Sequence, residues 1–280
     1  MTGIRPHGGG GGGTPTGRLV AAAGAVRQGI VVTTEDFKSF YTWRTWLGGW
    51  LVRLLCQVLF FSQLATLVGD PAYVVHVVIG ASLLVGVLQA MQGASTAVRD
   101  ILLGTLPLLA ASPVEPGCFF WGRSLCWPLS GVVSSSIVLF TLSPLFGTSW
   151  TPAQVPLAVL LVLLTTLATY CVALVMGAVT LLVPLANNMI GSLGTMATTV
   201  LCGAITPVHF WPGPVQAVAQ TLPATHGLSA LHLLEAGAGL GPTAYAAGRA
   251  ALAGLCWLAL GLAGYRLLFR HARRGGSLLT

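Results

Sequence analysis

Six long apolar runs constrain this chain more than any other feature of its sequence. Each has roughly the 20 residues that an α-helix needs to cross a lipid bilayer. The runs span residues 47–68, 74–92, 118–140, 155–183, 189–205 and 244–269. Because backbone groups in hydrocarbon must satisfy their hydrogen bonds within the protein, such runs predict helices. The sequence therefore predicts an all-α integral membrane protein with about six transmembrane helices.

Composition and charge support this class. Only 7% of the 280 residues are charged, whereas about a quarter are charged in soluble domains. The 13 basic residues outnumber the 6 acidic ones, but their positions follow the membrane, so we expect no nucleic acid partner. Eleven lie in segments predicted to be cytoplasmic or at the cytoplasmic edge: Arg5, Arg18, Arg27, Lys38, Arg44, Arg99, Arg123, Arg266, Arg270, Arg273 and Arg274. This bias predicts a multi-pass protein of the cell membrane with both termini in the cytoplasm.

The N-terminal region precedes the first apolar run. Residues 1–32 form a basic cytoplasmic leader, and the run of glycines between His7 and Thr14 predicts disorder there. Residues 33–46 are predicted to form an interfacial helix, because Phe37, Phe40, Tyr41 and Arg44 share one face at helical spacing.

Polar residues within the apolar runs form three stripes at helical spacing. The first run carries Trp46, Trp50, Arg53, Gln57 and Phe60; the second ends with Gln89, Gln92, Thr96 and Arg99; the fifth carries Asn188, Gly191, Thr195, Thr198 and Cys202. We expect these stripes to line a shared substrate path or a subunit interface. Two simpler interpretations stay open. Arg53 lies near the inner end of its span and also fits snorkelling to the headgroups, and the small residues of the fifth run also fit close helix packing.

The segment between the second and third runs is broken by Pro107, Pro113 and Pro116 and is too polar to cross a bilayer. Its motifs are Gly104-Thr105-Leu106, Leu109, Ser112-Pro113-Val114 and Gly122-Arg123. They resemble the cytoplasmic loop of type-2 ABC transporter permeases. The resemblance implies that residues 99–117 form a cytoplasmic coupling loop, whose short coupling helix docks onto a separate ATPase. The residues expected to act in this coupling are Arg99, Asp100, Gly104, Thr105, Leu109, Ser112, Pro113 and Arg123.

Residues 206–242 are rich in Pro and Gly and hold two apolar stretches, 216–222 and 228–236, that are too short to cross. They predict short helices that enter the outer leaflet and return. Here Pro207, Trp211, Pro223 and His226 resemble the extracellular re-entrant hairpin of the same permeases.

The resemblance implies that residues 33–280 form the transmembrane domain of a permease. Such a subunit works with a second permease copy and two copies of an ATPase subunit, which bind ATP and Mg²⁺, among membrane lipids. The sequence agrees in one respect: its only lysine is Lys38 and it has no GxxxxGK[ST] motif, so it builds no phosphate-binding loop. We therefore expect no catalytic residue, cofactor or metal in this chain.

The chain most resembles exporters of small drugs and antibiotics in this family. This predicts outward transport of a hydrophobic or amphipathic small molecule by alternating access at a dimer interface. Three alternatives stay open: export of polysaccharide or lipid-linked glycan, an intramembrane enzyme using His226, His232 and Glu235, and a channel or scaffold that needs no ATPase. On a helix, His232 and Glu235 are spaced to pair.

Overall fold

The computed structural model describes residues 46–93 and 124–275, which form helices joined by short turns. A π-helical turn, Trp46–Leu51, leads into α1, Val52–Thr66. The other α-helices in these residues are α2 (Pro71–Met91), α3 (Cys126–Leu142), α4 (Gln154–Leu182), α5 (Asn187–Leu201), α6 (Gly213–Ala219), α7 (Pro223–Glu235) and α8 (Leu240–Gly275). Within the same ranges, 5 helical stretches are long and apolar enough to span a membrane: Gly48–Thr66, Pro71–Met91, Cys126–Phe146, Gln154–Thr180 and Leu240–Leu268. The predicted all-α integral membrane class is confirmed.

The fifth predicted span is shorter than expected. The apolar run covers residues 189–205, but α5 ends at Leu201 and has 15 residues. At 1.5 Å per residue its length is about 22 Å, less than the roughly 30 Å of hydrocarbon in a bilayer. The helix stops there because Gly203 adopts a left-handed conformation, with φ of +85°. The described residues therefore hold five helices of full membrane length rather than about six.

Several predicted segments lie outside the described residues. These are the leader at residues 1–32, the interfacial helix at 33–46 apart from Trp46, and the coupling segment at 99–117. All eight predicted coupling residues also lie outside the described residues: Arg99, Asp100, Gly104, Thr105, Leu109, Ser112, Pro113 and Arg123.

The turn between α1 and α2 follows from three residues, Gly69, Asp70 and Pro71. Gly69 takes a positive φ of 79°, which reverses the chain after α1. The Asp70 side chain then accepts a hydrogen bond from the Ala72 backbone N–H at 3.0 Å. Pro71 occupies the first turn of α2, where its missing N–H costs nothing. Together they place the start of α2 three residues before the apolar run at Val74.

Helix α2 lies at the centre of the helical bundle. In its apolar stretch, 78% of the residues are buried inside the protein, and the helix contacts α1, α3, α4, α5 and α7. Glycines permit this close packing. A Cβ added to Gly131 of α3 would lie 2.9 Å from the carbonyl oxygen of Gly86 in α2. A Cβ added to Gly86 would lie 2.7 Å from Thr166 Oγ1 in α4. Close approach through small residues is typical of helices in membranes.

Helix α8, unlike α2, is mostly exposed. It packs against α4 and α7, but only 17% of the residues in its apolar stretch are buried inside the protein. Leu252, Leu255 and Leu260 are among its exposed residues. An exposed apolar face of this kind suits contact with lipid tails.

Candidate functional site

A pocket of about 390 Å³ opens between the end of α2 and the start of α5. Its lining is Met91, Gln92, Asn187, Asn188, Gly191, Ser192, Thr195 and Met196. The structure thus brings together three of the predicted path residues, Gln92, Asn188 and Thr195. They come from two of the three sequence stripes.

The pocket offers uncharged polar groups beside flexible apolar ones. The carboxamides of Gln92, Asn187 and Asn188 can each donate and accept hydrogen bonds. The thioethers of Met91 and Met196 adapt their shape to different apolar surfaces. Since none of the described residues in the lining is charged, the arrangement suits a neutral or amphipathic molecule with a few polar atoms.

Two other predicted path residues, Gln89 and Thr198, lie inside the protomer. Both are only 3% exposed. Gln89 of α2 faces α3, where a Cβ on Gly131 would lie 3.2 Å from the Gln89 Cβ. On α5, Gly194 packs against Met176 of α4. The C-terminal part of the α5 stripe, Thr198 and Cys202, is therefore buried within the protomer, whereas its N-terminal part lines the pocket.

The opposite face of α5 carries large apolar side chains that are exposed: Met189, Leu193, Met196 and Val200. Met196 belongs to both this face and the pocket. The pocket therefore borders a surface available to lipid or to another chain.

Two residues of the first stripe, Arg53 and Phe60 of α1, face outward from the bundle. The Arg53 guanidinium carbon lies 5.2 Å from the centre of the Trp50 ring, a cation–π distance. Phe60 is 64% exposed and Gln57 is half-buried. None of these residues lines the pocket between α2 and α5.

Helices α6 and α7 lie in the segment predicted to be a re-entrant hairpin, and α8 contacts the turn between them. Trp257 Nε1 donates to the Thr221 carbonyl oxygen at 2.9 Å, and Arg249 donates to Gln220 Oε1 at 3.1 Å. Arg249 and Trp257 lie about 14 and 26 Å along α8 from Leu240, by the helical rise. Since α7 ends at Glu235, close to the start of α8, the hairpin lies alongside the first part of α8, and Gln220 and Thr221 in its turn are exposed.

The predicted hairpin residues have structural contacts. Pro223 starts α7, and Pro207 precedes a short 3-10 turn, Val208–Phe210. The Trp211 carbonyl oxygen accepts a hydrogen bond from Gln216 Nε2 at 2.8 Å. His226 Nε2 donates to the Gln220 carbonyl oxygen at 2.9 Å. Each of these contacts shapes the hairpin or its approach.

Two further histidines attach the hairpin to α2. His76 Nε2 donates to the Gly203 carbonyl oxygen at 2.9 Å, and the His76 ring stacks on His232 at 4.6 Å between centroids. Burial, and then the nearby His76, lower the pKa of His232 to about 4. Burial also lowers the pKa of His226. Both α7 histidines are therefore neutral at pH 7.

The predicted pairing of His232 with Glu235 is not seen: among the described residues no hydrogen bond or ion pair joins them, and His232 Nε2 is buried without a hydrogen-bond partner. In the same part of the chain, no group of three or more His, Cys, Asp or Glu side chains is placed to hold a metal ion.

Arg249 is a candidate functional residue that the sequence reasoning missed. It lies within the sixth predicted span at residues 244–269, and cations inside an apolar run are usually retained for a role. The signal was therefore present in the sequence, although its contact with Gln220 required the fold.

Comparison with known proteins agrees with this architecture. The family model of the ABC-2 type transporter matches residues 28–235, about three quarters of the chain. No curated protein matches the sequence. The matched segment includes α1 to α7, with the pocket and the re-entrant hairpin. The chain therefore belongs to the ABC-2 type transporter family, as the membrane permease subunit of an ABC transporter.

Proposed function

We propose that this permease is part of an exporter that moves a hydrophobic or amphipathic small molecule outward. The observation that supports the proposal is the pocket between α2 and α5, whose described lining offers carboxamides, hydroxyls and two methionines and holds no charged side chain. In the proposed complex, two copies of a separate ATPase subunit bind ATP and Mg²⁺, and a second permease copy completes the path.

The sequence position of the pocket supports a mechanical link to the ATPase. Met91 and Gln92 line the pocket at the end of α2, and the proposed coupling segment begins seven residues later at Arg99. A push on that segment would therefore reach the pocket wall first. Because α2 contacts five other helices, its displacement would change the packing of most of the bundle. Nucleotide binding would bias such a two-state equilibrium.

Gly191 provides a direct test of the pocket. A Cβ on Gly191 would meet no atom within 4 Å, so a side chain can start there without a clash, and leucine would extend into space that a substrate would use. Gly241 of α8 is the matched control, because it is exposed, helical and equally unobstructed. The measurement is drug-stimulated ATP hydrolysis by the complex reconstituted in liposomes.

We expect Gly191→Leu to raise the drug concentration needed for stimulation by about tenfold or more, the effect of losing roughly 1.4 kcal/mol of binding. Gly241→Leu should behave like the wild type, and basal hydrolysis should be unchanged in both. Normal drug stimulation in Gly191→Leu would contradict the proposed site. Stimulation by a lipid-linked glycan, with none by hydrophobic drugs, would instead favour a glycan exporter.

The ATPase contact needs its own test. Cysteines placed at Gly104 or Pro113 should crosslink to the ATPase subunit, whereas a cysteine at Ser149, in the turn between α3 and α4, should not. Crosslinking from Ser149 alone would overturn the proposed coupling segment.

A further inference from the structure

We propose that Arg249 and Gln220 form a binding site for the phosphate group of a phospholipid at the hairpin turn. Arg249 lies on the exposed side of α8, and its guanidinium donates to Gln220 Oε1 at 3.1 Å. That contact uses one of the five N–H donors of a permanently charged group. Gln220 is also exposed.

The remaining donors form a fork that fits a phosphate. Within residues 46–93 and 124–275, no carboxylate lies within ion-pair distance of Arg249. Because Gln220 Oε1 accepts from the guanidinium, the Nε2 group of the same carboxamide is left as a second donor beside it. A guanidinium binds two oxygens of one phosphate in a planar arrangement, and the adjacent amide adds a third donor.

The depth of Arg249 along α8 points to the headgroup region. Arg249 and Arg266 bracket the uncharged residues 250–265. By the helical rise the two Cα atoms are about 25 Å apart, close to the roughly 30 Å of a hydrocarbon core. Long basic side chains at such positions reach the phosphate layer.

The surroundings of the site favour a lipid over a free anion. Leu252 and Leu260 are more than half exposed and lie about one and three turns along α8 from Arg249, on the same side of the helix and on the way to Arg266. A ligand whose phosphate contacts Arg249 can therefore lay its acyl chains on an apolar helix surface. This site is separate from the pocket between α2 and α5 and does not depend on the proposed substrate.

The substitution Gln220→Glu separates lipid binding from attachment of the hairpin. A carboxylate at this position would pair with Arg249 and occupy its donors, while the turn stays attached to α8. Arg249→Gln removes the charge itself. Gln63→Glu is the matched control, because it adds the same charge to an exposed glutamine near the corresponding end of α1.

The experiment uses the delipidated full-length permease with its ATPase, titrated with dioctanoyl phosphatidylglycerol, and native mass spectrometry counts the bound lipid. We expect Gln220→Glu and Arg249→Gln each to weaken binding by about tenfold or more, as loss of a charge-assisted contact predicts. Gln63→Glu should bind like the wild type. Dioctanoylglycerol, which lacks the phosphate, should not occupy the site, and millimolar inorganic phosphate should not displace the lipid.

Wild-type lipid binding by Gln220→Glu would overturn the proposal, even if Arg249→Gln failed to fold. Equal binding of dioctanoylglycerol would overturn phosphate recognition. Displacement by inorganic phosphate would assign the site to a free anion instead of a lipid.

Discussion

His76 of α2 and His232 of α7 stack face to face, with ring centroids 4.6 Å apart and ring planes within 10° of parallel. His76 also donates to the carbonyl oxygen of Gly203, just after α5. One side chain of the central helix thus holds both the second helix of the hairpin and the loop that leads into it. At its other end, α2 carries Gln92 of the pocket, so the two regions share one helix.

The first prediction concerns pH. Because burial lowers the pKa of His232 to about 4 in the folded protein, the unfolded chain binds more protons between that value and about pH 6.5, the ordinary histidine pKa. Stability should therefore fall as the pH drops through about 6.5 and level off below about 4. The loss from His232 should reach roughly 3 kcal/mol, and His226 should add to it in the same direction.

Unfolding in mild detergent at pH 7 and pH 5 measures the part of this loss that has accumulated by pH 5, about 2 kcal/mol. His232→Phe keeps an aromatic ring against His76 but removes the titrating group, so it should be less sensitive to pH. His209→Phe, at an exposed ring next to Phe210, is the control and should retain the sensitivity. Equal pH dependence in wild type and His232→Phe would contradict the assignment.

The second prediction concerns the contact of α2 with α4. Gly86→Ala should destabilise the protein by about 1–3 kcal/mol, as overpacking does, because the new Cβ would lie 2.7 Å from Thr166 Oγ1. Thr166→Ala removes that atom and should rescue Gly86→Ala. Alone it should be close to neutral, since Thr166 Oγ1 is buried without a hydrogen-bond partner. A double mutant no more stable than Gly86→Ala would show that the clash lies elsewhere.

The third prediction concerns the hairpin turn. Trp257→Phe removes the donor to the Thr221 carbonyl oxygen and should speed backbone hydrogen exchange around residues 219–222. A lost hydrogen bond of this kind costs about 1 kcal/mol, a several-fold change in local opening. Trp211→Phe makes the same chemical change at an indole N–H that has no partner, so exchange in the turn should stay the same. An equal effect of both substitutions would refute the role of the bond.

The lengths and positions of the apolar runs were enough to predict the fold class and most helix positions. Length and apolarity decide where a chain can cross a bilayer, and α4 at Gln154–Leu182 differs by one residue at each end from the predicted run 155–183. The error at α5 arose because apolar residues continue past Leu201, whereas the backbone conformation at Gly203 ends the helix. Hydropathy does not report backbone conformation.

The candidate site was harder to predict. A stripe shows that residues share one face of a helix but not what that face meets. Gln89 and Gln92 share a stripe, yet Gln89 faces α3 within the protomer and Gln92 opens onto the pocket. For the same reason, His226 and His232 looked like candidates for chemistry, and the structure shows them making contacts that hold the hairpin.

The last prediction concerns orientation in the membrane. Helix α4 has 29 residues and a length of about 43 Å by the helical rise. The turns at its two ends therefore lie on opposite sides of a bilayer. Ser149 is exposed before α4 and Leu185 after it. Because the basic residues cluster near the C-terminus, the positive-inside rule predicts that Leu185 faces the cytoplasm and Ser149 the outside.

In a version that lacks the native cysteines, a membrane-impermeant maleimide tests this orientation on intact cells. Ser149→Cys should be labelled at once, whereas Leu185→Cys should be labelled only after the membrane is permeabilised. The reverse labelling pattern would show that the whole chain has the opposite orientation in the membrane. It would place the re-entrant hairpin on the cytoplasmic side, because α7 ends beside the start of α4, where Gln154 Nε2 donates to the Leu234 carbonyl oxygen at 2.8 Å. The same labelling therefore tests whether the hairpin and the lipid site at Arg249 belong to the outer leaflet.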